Sequence, residues 1–322
     1  MVVRRASPPG PVTAVDYHTA GEPFRIVTGG VPALEGRTIL DRRRFAADRL
    51  DDLRRLLVFE PRGHADMYGC FVTEPDDGGA DLGVVFFHNA GYSTACGHGT
   101  IALVTWAIES GRIRAEEPET RVVVDVPSGR LETHARVSGG RVRSVRFRNV
   151  PAFVHSPGVA FGGAFYASVP EQVEPRQLPR LIERGRRIKA ELEAQREVVH
   201  PLEPELRGIY GVIFWQHEAD GPPLVQRNVT VFADGEVDRS PCGSGTSARL
   251  ALLVAEGRLG VGDELVHRSV LGSEFRARVV AETEVAGRPA VVTEVEGSAH
   301  LTGRHEFVLD PDDELGTGFL LR

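Results

Sequence analysis

Two cysteines in this sequence stand in the same short setting. Cys96-Gly97-His98-Gly99-Thr100 and Cys242-Gly243-Ser244-Gly245-Thr246 keep Cys, Gly, Gly and Thr in register at an offset of 146 residues, and an Ala, a Gly and an Arg further on stay in register too. Each copy follows an apolar β-type run, Val84–Phe87 and Val229–Phe232, and leads into an apolar helical pattern. A thiol at the mouth of a helix, with glycines that let backbone N–H groups face a ligand, favours an anion there and assists thiolate formation. Two opposed thiols suit one reaction in particular. Taking the α-proton of an amino acid on one face and returning a proton on the other needs a base and a protonated acid, and a thiol pair can alternate between those roles. The amides after each Cys would hold the substrate carboxylate and the charge that builds on it as the α-carbon is deprotonated.

Other readings of the same residues are weaker. A free Cys is most often a buried core residue, but a core cysteine would rarely recur in the same CGxGT context. Cys70, on a strand after Met67-Tyr68-Gly69 and with no matching motif, reads as core. Cys96, His98, His88 and Cys242 lack the CxxC or HxxxH spacing of zinc sites, so no metal is expected. Gly97-x-Gly99 and Gly243-x-Gly245 match a relaxed dinucleotide fingerprint, yet about eight residues separate strand from glycines where that fingerprint demands a tight turn. Asp238 and His98, close to the two thiols, could bind the ammonium group of a substrate; each could equally be a turn or hydrogen-bonding residue. His18, Glu22, Arg62, His64 and Asp66 read as groups that lock loops, while Tyr68 could face a cleft.

The elements that must position the thiols follow from the chain between them. A polar loop, Glu60–Gly69, leads into a strand, and a helix is expected from about Arg42 to Leu57 with Asp41 as its N-cap. A charged helix spans about Gln177–Arg196, and strands fall at Ile209–Trp215, Glu274–Val280 and Ala290–Val295. The fold class is α/β (α+β), mostly antiparallel, with one central helix in each of two similar lobes, 12–154 and 155–304. Residues 1–11 read as a loose tail. The 322 residues fit two lobes, and the hydrophobic share of 41% and charged share of 26% are those of a soluble protein. A net charge of −7 argues against nucleic acid. No apolar stretch marks a signal peptide or membrane span, and three cysteines make no disulfide framework, which together place the protein in the cytoplasm. The single lysine, Lys189, sits among charged residues and reads as solvated, which disfavours pyridoxal-phosphate chemistry.

At Cys96–His98 and at Asp238–Thr246 (DRSPCGSGT) the sequence resembles the proline racemase family. Asp16–Pro23 (DYHTAGEP), Glu60–Gly69 (EPRGHADMYG), Gly162–Ala167 (GGAFYA) and the Gly297–Gly303 region extend the likeness over nearly the whole chain. The resemblance implies the diaminopimelate-epimerase-like fold, with the active site in the cleft between two pseudo-symmetric lobes and 305–322 returning to the first. It implies Cys96 and Cys242 as acid/base thiols, Gly97, His98, Gly243 and Ser244 as donors of amides to the carboxylate, and His98 and Asp238 at the ring nitrogen. Tyr68 and Phe232 would flank the pyrrolidine ring, and no cofactor or metal is expected. Within the family, Cys242 stands where the trans-3-hydroxy-L-proline dehydratases usually carry Thr, which favours an epimerase. His88–Thr94 (HNAGYST) looks more like the dehydratase branch, and Ser93 replaces an apolar residue of the racemases, which suits a hydroxylated ring. The expected activity is therefore a cofactor-independent racemase or epimerase acting on proline or hydroxyproline. The dehydratase and a non-catalytic binder of cyclic amino acids are the alternatives. The expected partner is this small-molecule substrate; monomer and homodimer are both open.

Overall fold

A computed structural model describes residues 10–321, so most of the tail expected at 1–11 lies outside the described residues. Two helices, α3 (Gly97–Glu109) and α5 (Gly243–Ala255), are the centres of two strand wraps; the others, α1 (Ile39–Arg49), α2 (Asp51–Val58) and α4 (Leu178–Gln195), lie outside them. The sequence of the central pair explains their place. Ile101-Ala-Leu-Val gives α3 almost no polar surface, and Leu250-Ala-Leu-Leu makes the second half of α5 apolar, while Thr246, Ser247 and Arg249 before it are buried too; helices so apolar are stable only when covered on every side. The helix α3 packs on strands Val12–Thr19, Glu22–Gly29, Tyr68–Thr73, Gly129–Ser138 and Arg141–Arg148, while α5 packs on Ala152–Ser156, Val159–Phe161, Phe165–Pro170, Glu274–Val285 and Arg288–Gly297. The strands show the period of two that one-sided burial requires: Leu131, Thr133, Ala135 and Val137 point inward and Arg130, Glu132, His134 and Arg136 outward or part-way out.

The wraps are joined edge to edge. Strand Arg288–Gly297 pairs antiparallel with Arg141–Arg148, Val295 opposite Phe147, so the eighteen strands among the described residues form one hydrogen-bonded network. Strand Ala299–Phe307 pairs along the whole of Val12–Thr19, and Phe319 bridges Glu60. The first hairpin turns on Ala20 and Gly21 alone, both at positive φ (53° and 96°), which a tight two-residue turn requires. Among the described residues no helix is long and apolar enough to cross a membrane.

Two expectations need correcting. The helix expected over 42–57 is two helices, broken at Leu50, whose backbone leaves the helical region and lets α2 redirect Leu53, Leu56 and Leu57 into the core. The cap of α1 is Thr38, not Asp41. Asp41 is the third helical residue, and its carboxylate reaches back to the Thr38 N–H while the Thr38 hydroxyl accepts from the Asp41 N–H. This is a reciprocal capping box, in which the acidic residue is more easily noticed than its hydroxyl partner.

Candidate active site

The N-termini of α3 and α5 meet head to head. A Cβ added to Gly97 would lie 2.6 Å from the Gly243 Cα, and one added to Gly243 would lie 2.8 Å from the Gly97 Cα. No side chain fits at either position, which is why a glycine follows both cysteines. The second glycine of each motif has a different duty. A Cβ on Gly99 would stand 2.7 Å from the Cys96 Sγ and one on Gly245 2.9 Å from the Cys242 Sγ, so these glycines make room for the thiols. Each Cys is the N-cap of its helix and is buried. Two helix N-termini aimed at one point bring two partial positive charges together, an arrangement that an anion between them relieves.

The thiols share one small chamber with Tyr68, Gly97, His98, Phe232, Asp238, Gly243 and Ser244. Nine of the ten residues singled out from the sequence are thus brought together. Ser93 is the exception: it lines an adjoining, larger cavity and reaches the chamber only through its bond to the Tyr68 hydroxyl. At Cys96 the Sγ lies 3.5 Å from His98 Nε2 and 3.6 Å from Nδ1, and the Thr100 hydroxyl donates to the Cys96 carbonyl at 2.9 Å. At Cys242 the thiol faces the Tyr166 hydroxyl at 3.8 Å, and Tyr166 in turn shares a 2.6 Å bond with the Ser244 hydroxyl. Cys242 holds φ at +63°, a left-handed conformation rare for a residue with a Cβ. It is held there by its N–H to the Ser240 hydroxyl (3.1 Å) and by its carbonyl, which accepts from Thr246 N at 2.7 Å.

Burial dominates the electrostatics. It pushes the Cys96 thiol well above its ordinary pKa, against the Gly99 amide, and it pushes Cys242 up to about 12, helped by the charge of Asp238 and opposed by Thr230, Gly245 and Tyr166. In this buried chamber both thiols therefore keep their protons, although a helix mouth by itself favours the thiolate; losing water outweighs the amides. Burial also lowers His98 to about 3, leaving it a neutral imidazole, and raises Asp238 to about 6. At neutral pH Asp238 is thus an ionised, buried carboxylate. It accepts from Ser240 N at 2.8 Å and stands 3.9 Å from a ring nitrogen of the uncharged His98. The Arg239 charge favours the ionised form of Asp238, but among the described residues no Arg or Lys forms an ion pair with it, and a buried anion so placed invites a cationic ligand. Among the described residues no three His, Cys, Asp or Glu side chains are grouped to hold a metal.

The family model described as proline racemase matches residues 14–320. The chain belongs to the proline racemase family. It is 47% identical to a 3-hydroxyproline 2-epimerase of Burkholderia multivorans over 97% of this chain and 98% of the relative. It is 46% identical to a trans-3-hydroxy-L-proline dehydratase of Bacillus cereus over 96% and 98%. Among solved structures, a hydroxyproline epimerase from Agrobacterium vitis with bound trans-4-OH-L-proline superposes with a TM-score of 0.91 at 34% identity, covering 99% of this chain and 96% of that one. The fold is accordingly the diaminopimelate-epimerase-like one expected, and the protein is an enzyme of this family.

In this family member the chamber also contains residues that the sequence reading did not single out. Tyr166, Tyr210 and Thr230 line it. Tyr166 lay inside the family-like GGAFYA stretch and could have been found there; Tyr210 and Thr230 sit in strands whose pattern only announces burial. Tyr210 stacks on Phe232 (5.5 Å, 20°) and shares a 2.9 Å bond with the Tyr68 hydroxyl, so Ser93, Tyr68 and Tyr210 form one hydroxyl chain across the lobes. Two of the loop-locking residues, Glu22 and Asp66, tie the first lobe to the strand before Cys242. Glu22 accepts from Arg239 N at 2.7 Å, Asp66 from Val237 N at 3.0 Å, and the Arg239 guanidinium bears on both carboxylates. Arg62 donates to the carbonyls of Val308 and Gly316. Lys189, expected to be solvated, is half-buried; its Nζ donates to the Ala233 carbonyl at 3.0 Å and lines the cavity next to the chamber.

Proposed function

We propose that this protein is a cofactor-independent racemase or epimerase that inverts the α-carbon of proline or a hydroxyproline by two-thiol proton transfer. The observation that carries the reading is the head-to-head meeting of two helix N-termini at Gly97 and Gly243 with a thiol at each N-cap. The substrate carboxylate would sit between the helix mouths, on the amides of Gly97, His98, Gly243 and Ser244. The ring ammonium would lie against the Asp238 carboxylate with neutral His98 beside it, and Tyr68 and Phe232 would flank the ring. The lobes we assign to 12–154, with the returning C-terminal segment, and to 155–304.

One thiolate takes the α-proton, the electron pair spreads onto the carboxylate, and the opposite thiol gives its proton to the other face. The helix mouths act on the charge as it develops, when it is largest. Burial of the thiols serves this step as well. A thiolate formed while the site is open and then enclosed is a stronger base than one in water, which brings it closer to the weakly acidic α-proton.

A second reading, trans-3-hydroxy-L-proline dehydratase, is favoured by the Ser93–Tyr68–Tyr210 hydroxyl chain, which would protonate a departing ring hydroxyl after a single thiolate had taken the α-proton. Proton NMR in D2O with L-proline, trans-4-hydroxy-L-proline and trans-3-hydroxy-L-proline in parallel separates the two. Deuterium entering the α-position as the opposite epimer accumulates is the expected result. Loss of the 3-hydroxy compound to a cyclic imine, with no epimer from any substrate, would establish the dehydratase, and silence on all three would sink both readings.

A further inference from the structure

The sheet face beneath α5 carries polar side chains at positions where its counterpart beneath α3 carries apolar ones. Strand Leu224–Phe232 turns Gln226, Asn228 and Thr230 toward the helix, all with no exposed surface, and His267 stands beside Gln226 in register on the next strand. The helix adds Thr246 and Arg249. The positions 146 residues earlier place Leu82, Val84 and Leu103 where this lobe has Asn228, Thr230 and Arg249.

The polar groups in this seam are only half satisfied. Gln226 accepts from Arg249 Nε at 3.0 Å, yet Gln226 Nε2 and Arg249 Nη2 meet no acceptor. Asn228 donates to the Arg268 carbonyl at 3.3 Å, yet its Oδ1 meets no donor. The Thr246 hydroxyl donates to the Pro241 carbonyl at 3.2 Å and lies 2.8 Å from His267 Nδ1. With that hydroxyl proton committed, Nδ1 carries the imidazole hydrogen and Nε2, which has no partner, is a bare acceptor. Donors and acceptors are thus buried side by side without reaching one another. Leaving them dry is strongly unfavourable, and water with roughly two to four polar partners is what joins such sets in protein interiors.

We infer that ordered water fills this seam and forms a proton path between Cys242 and solvent, running past Thr230, Asn228 and His267 to the Arg249–Glu256 end of α5. Thr230 lines the thiol chamber at one end, and Glu256, bonded to Arg249 at 3.4 Å, is half exposed at the other. The inference rests on the two-thiol reading, in which both thiols must exchange protons with solvent between turnovers in one direction. After an inversion in one direction Cys242 is left as a thiolate and Cys96 as a thiol. Before the next inversion in that direction, a proton from solvent water must add to the Cys242 sulfur, and the Cys96 proton must leave to solvent. Leu82, Val84 and Leu103 interrupt any matching seam beneath α3, so Cys96 exchanges through the chamber, while Cys242 has a route of its own.

A high-resolution crystal structure of the full chain is the first test. Waters bonded to His267 Nε2 and Gln226 Nε2 are expected, and a dry seam would overturn the inference whatever the activity. The second test is kinetic. Asn228→Leu and Thr246→Val should lower kcat for the inverted substrate about tenfold while kcat/KM stays within about twofold, because the reset falls between turnovers. Thr246→Ser, which keeps the hydroxyl, should retain kcat. An unchanged kcat in both variants, or an equal loss in kcat and kcat/KM, would overturn the path. If the wild-type protein inverts no substrate, the proposed function fails while the crystallographic test still judges the seam.

Discussion

At the Cys96 mouth the thiol stands on extended backbone, φ −153°, with an imidazole against it and an apolar core beneath its helix; at the Cys242 mouth the backbone is left-handed, φ +63°, with a phenol against the thiol and a polar seam below. The repeated CGxGT motif hides this difference. The glycines do the same work in both copies because the same clash would arise in both. The threonines do not: Thr100 bonds the carbonyl of its own cysteine, whereas Thr246 bonds Pro241 and His267. The carboxylate comes from one side only, since Asp238 stands four residues before Cys242, although its charge raises both thiols. A duplicated frame has thus kept the features that bring two helix ends together and diverged in how each thiol is served.

The largest effects should come from the thiols themselves. Cys96→Ser and Cys242→Ser should each slow inversion by about 10²–10⁴-fold, yet differ in what survives. With one enantiomer in D2O, the variant that keeps the thiolate base should still exchange the α-proton without inverting, and the other should do neither. Equal exchange in both variants would break the assignment of one thiol to each face. Next in size is Asp238→Asn, expected to cost about 2–5 kcal/mol of substrate binding if the ring ammonium rests on this carboxylate. The same group fixes a pH dependence. Its folded pKa is raised to about 6, so it is protonated as pH falls through 6, and kcat/KM should drop on that limb. Stability should move the other way. A raised carboxylate pKa means that folding disfavours the ionised form, so the protein should gain stability between about pH 6 and 4, and Asp238→Asn should raise the thermal midpoint at pH 7. A pH profile flat through 6 would remove Asp238 from the substrate site.

A smaller effect tests the ring end of the chamber. Tyr210→Phe or Ser93→Leu removes one member of the hydroxyl chain and should shift preference from hydroxylated toward bare proline by about tenfold, the worth of one hydrogen bond. An equal change for every substrate would mean that the chain only joins the lobes.

Much of this site was legible in the sequence because its parts are local. A Cys, two glycines and an apolar run are enough to place a thiol at the mouth of a buried helix, and the register of the repeat gives the pairing of lobes. What escaped is set by contact across the chain. Nothing in the spacing says that Gly97 and Gly243 touch, so one cause of their being glycine is visible only in three dimensions. Tyr210 and Thr230 look like ordinary strand residues until Phe232 and Cys242 are placed beside them. The polar seam was hidden for the same reason: Gln226, Asn228 and Thr230 alternate with Val225, Arg227 and Val229, a pattern that reads as a half-exposed strand although its polar face is fully buried.

The finest test of the comparison is backbone strain. A non-glycine residue held at positive φ costs roughly 1–3 kcal/mol, which glycine would not incur. Cys242→Gly removes that strain, and the relief should offset much of the lost side-chain packing. Cys96→Gly has no strain to remove and adds the entropy cost of glycine, about 0.5–1 kcal/mol. Both variants lack a thiol and should be inactive, so the readout is the denaturant midpoint alone. Cys96→Gly should be the less stable by about 1–2 kcal/mol. Equal losses would mean that the left-handed turn at Cys242 is not held against resistance. The contrast between the two mouths would then lie only in the groups around the sulfur.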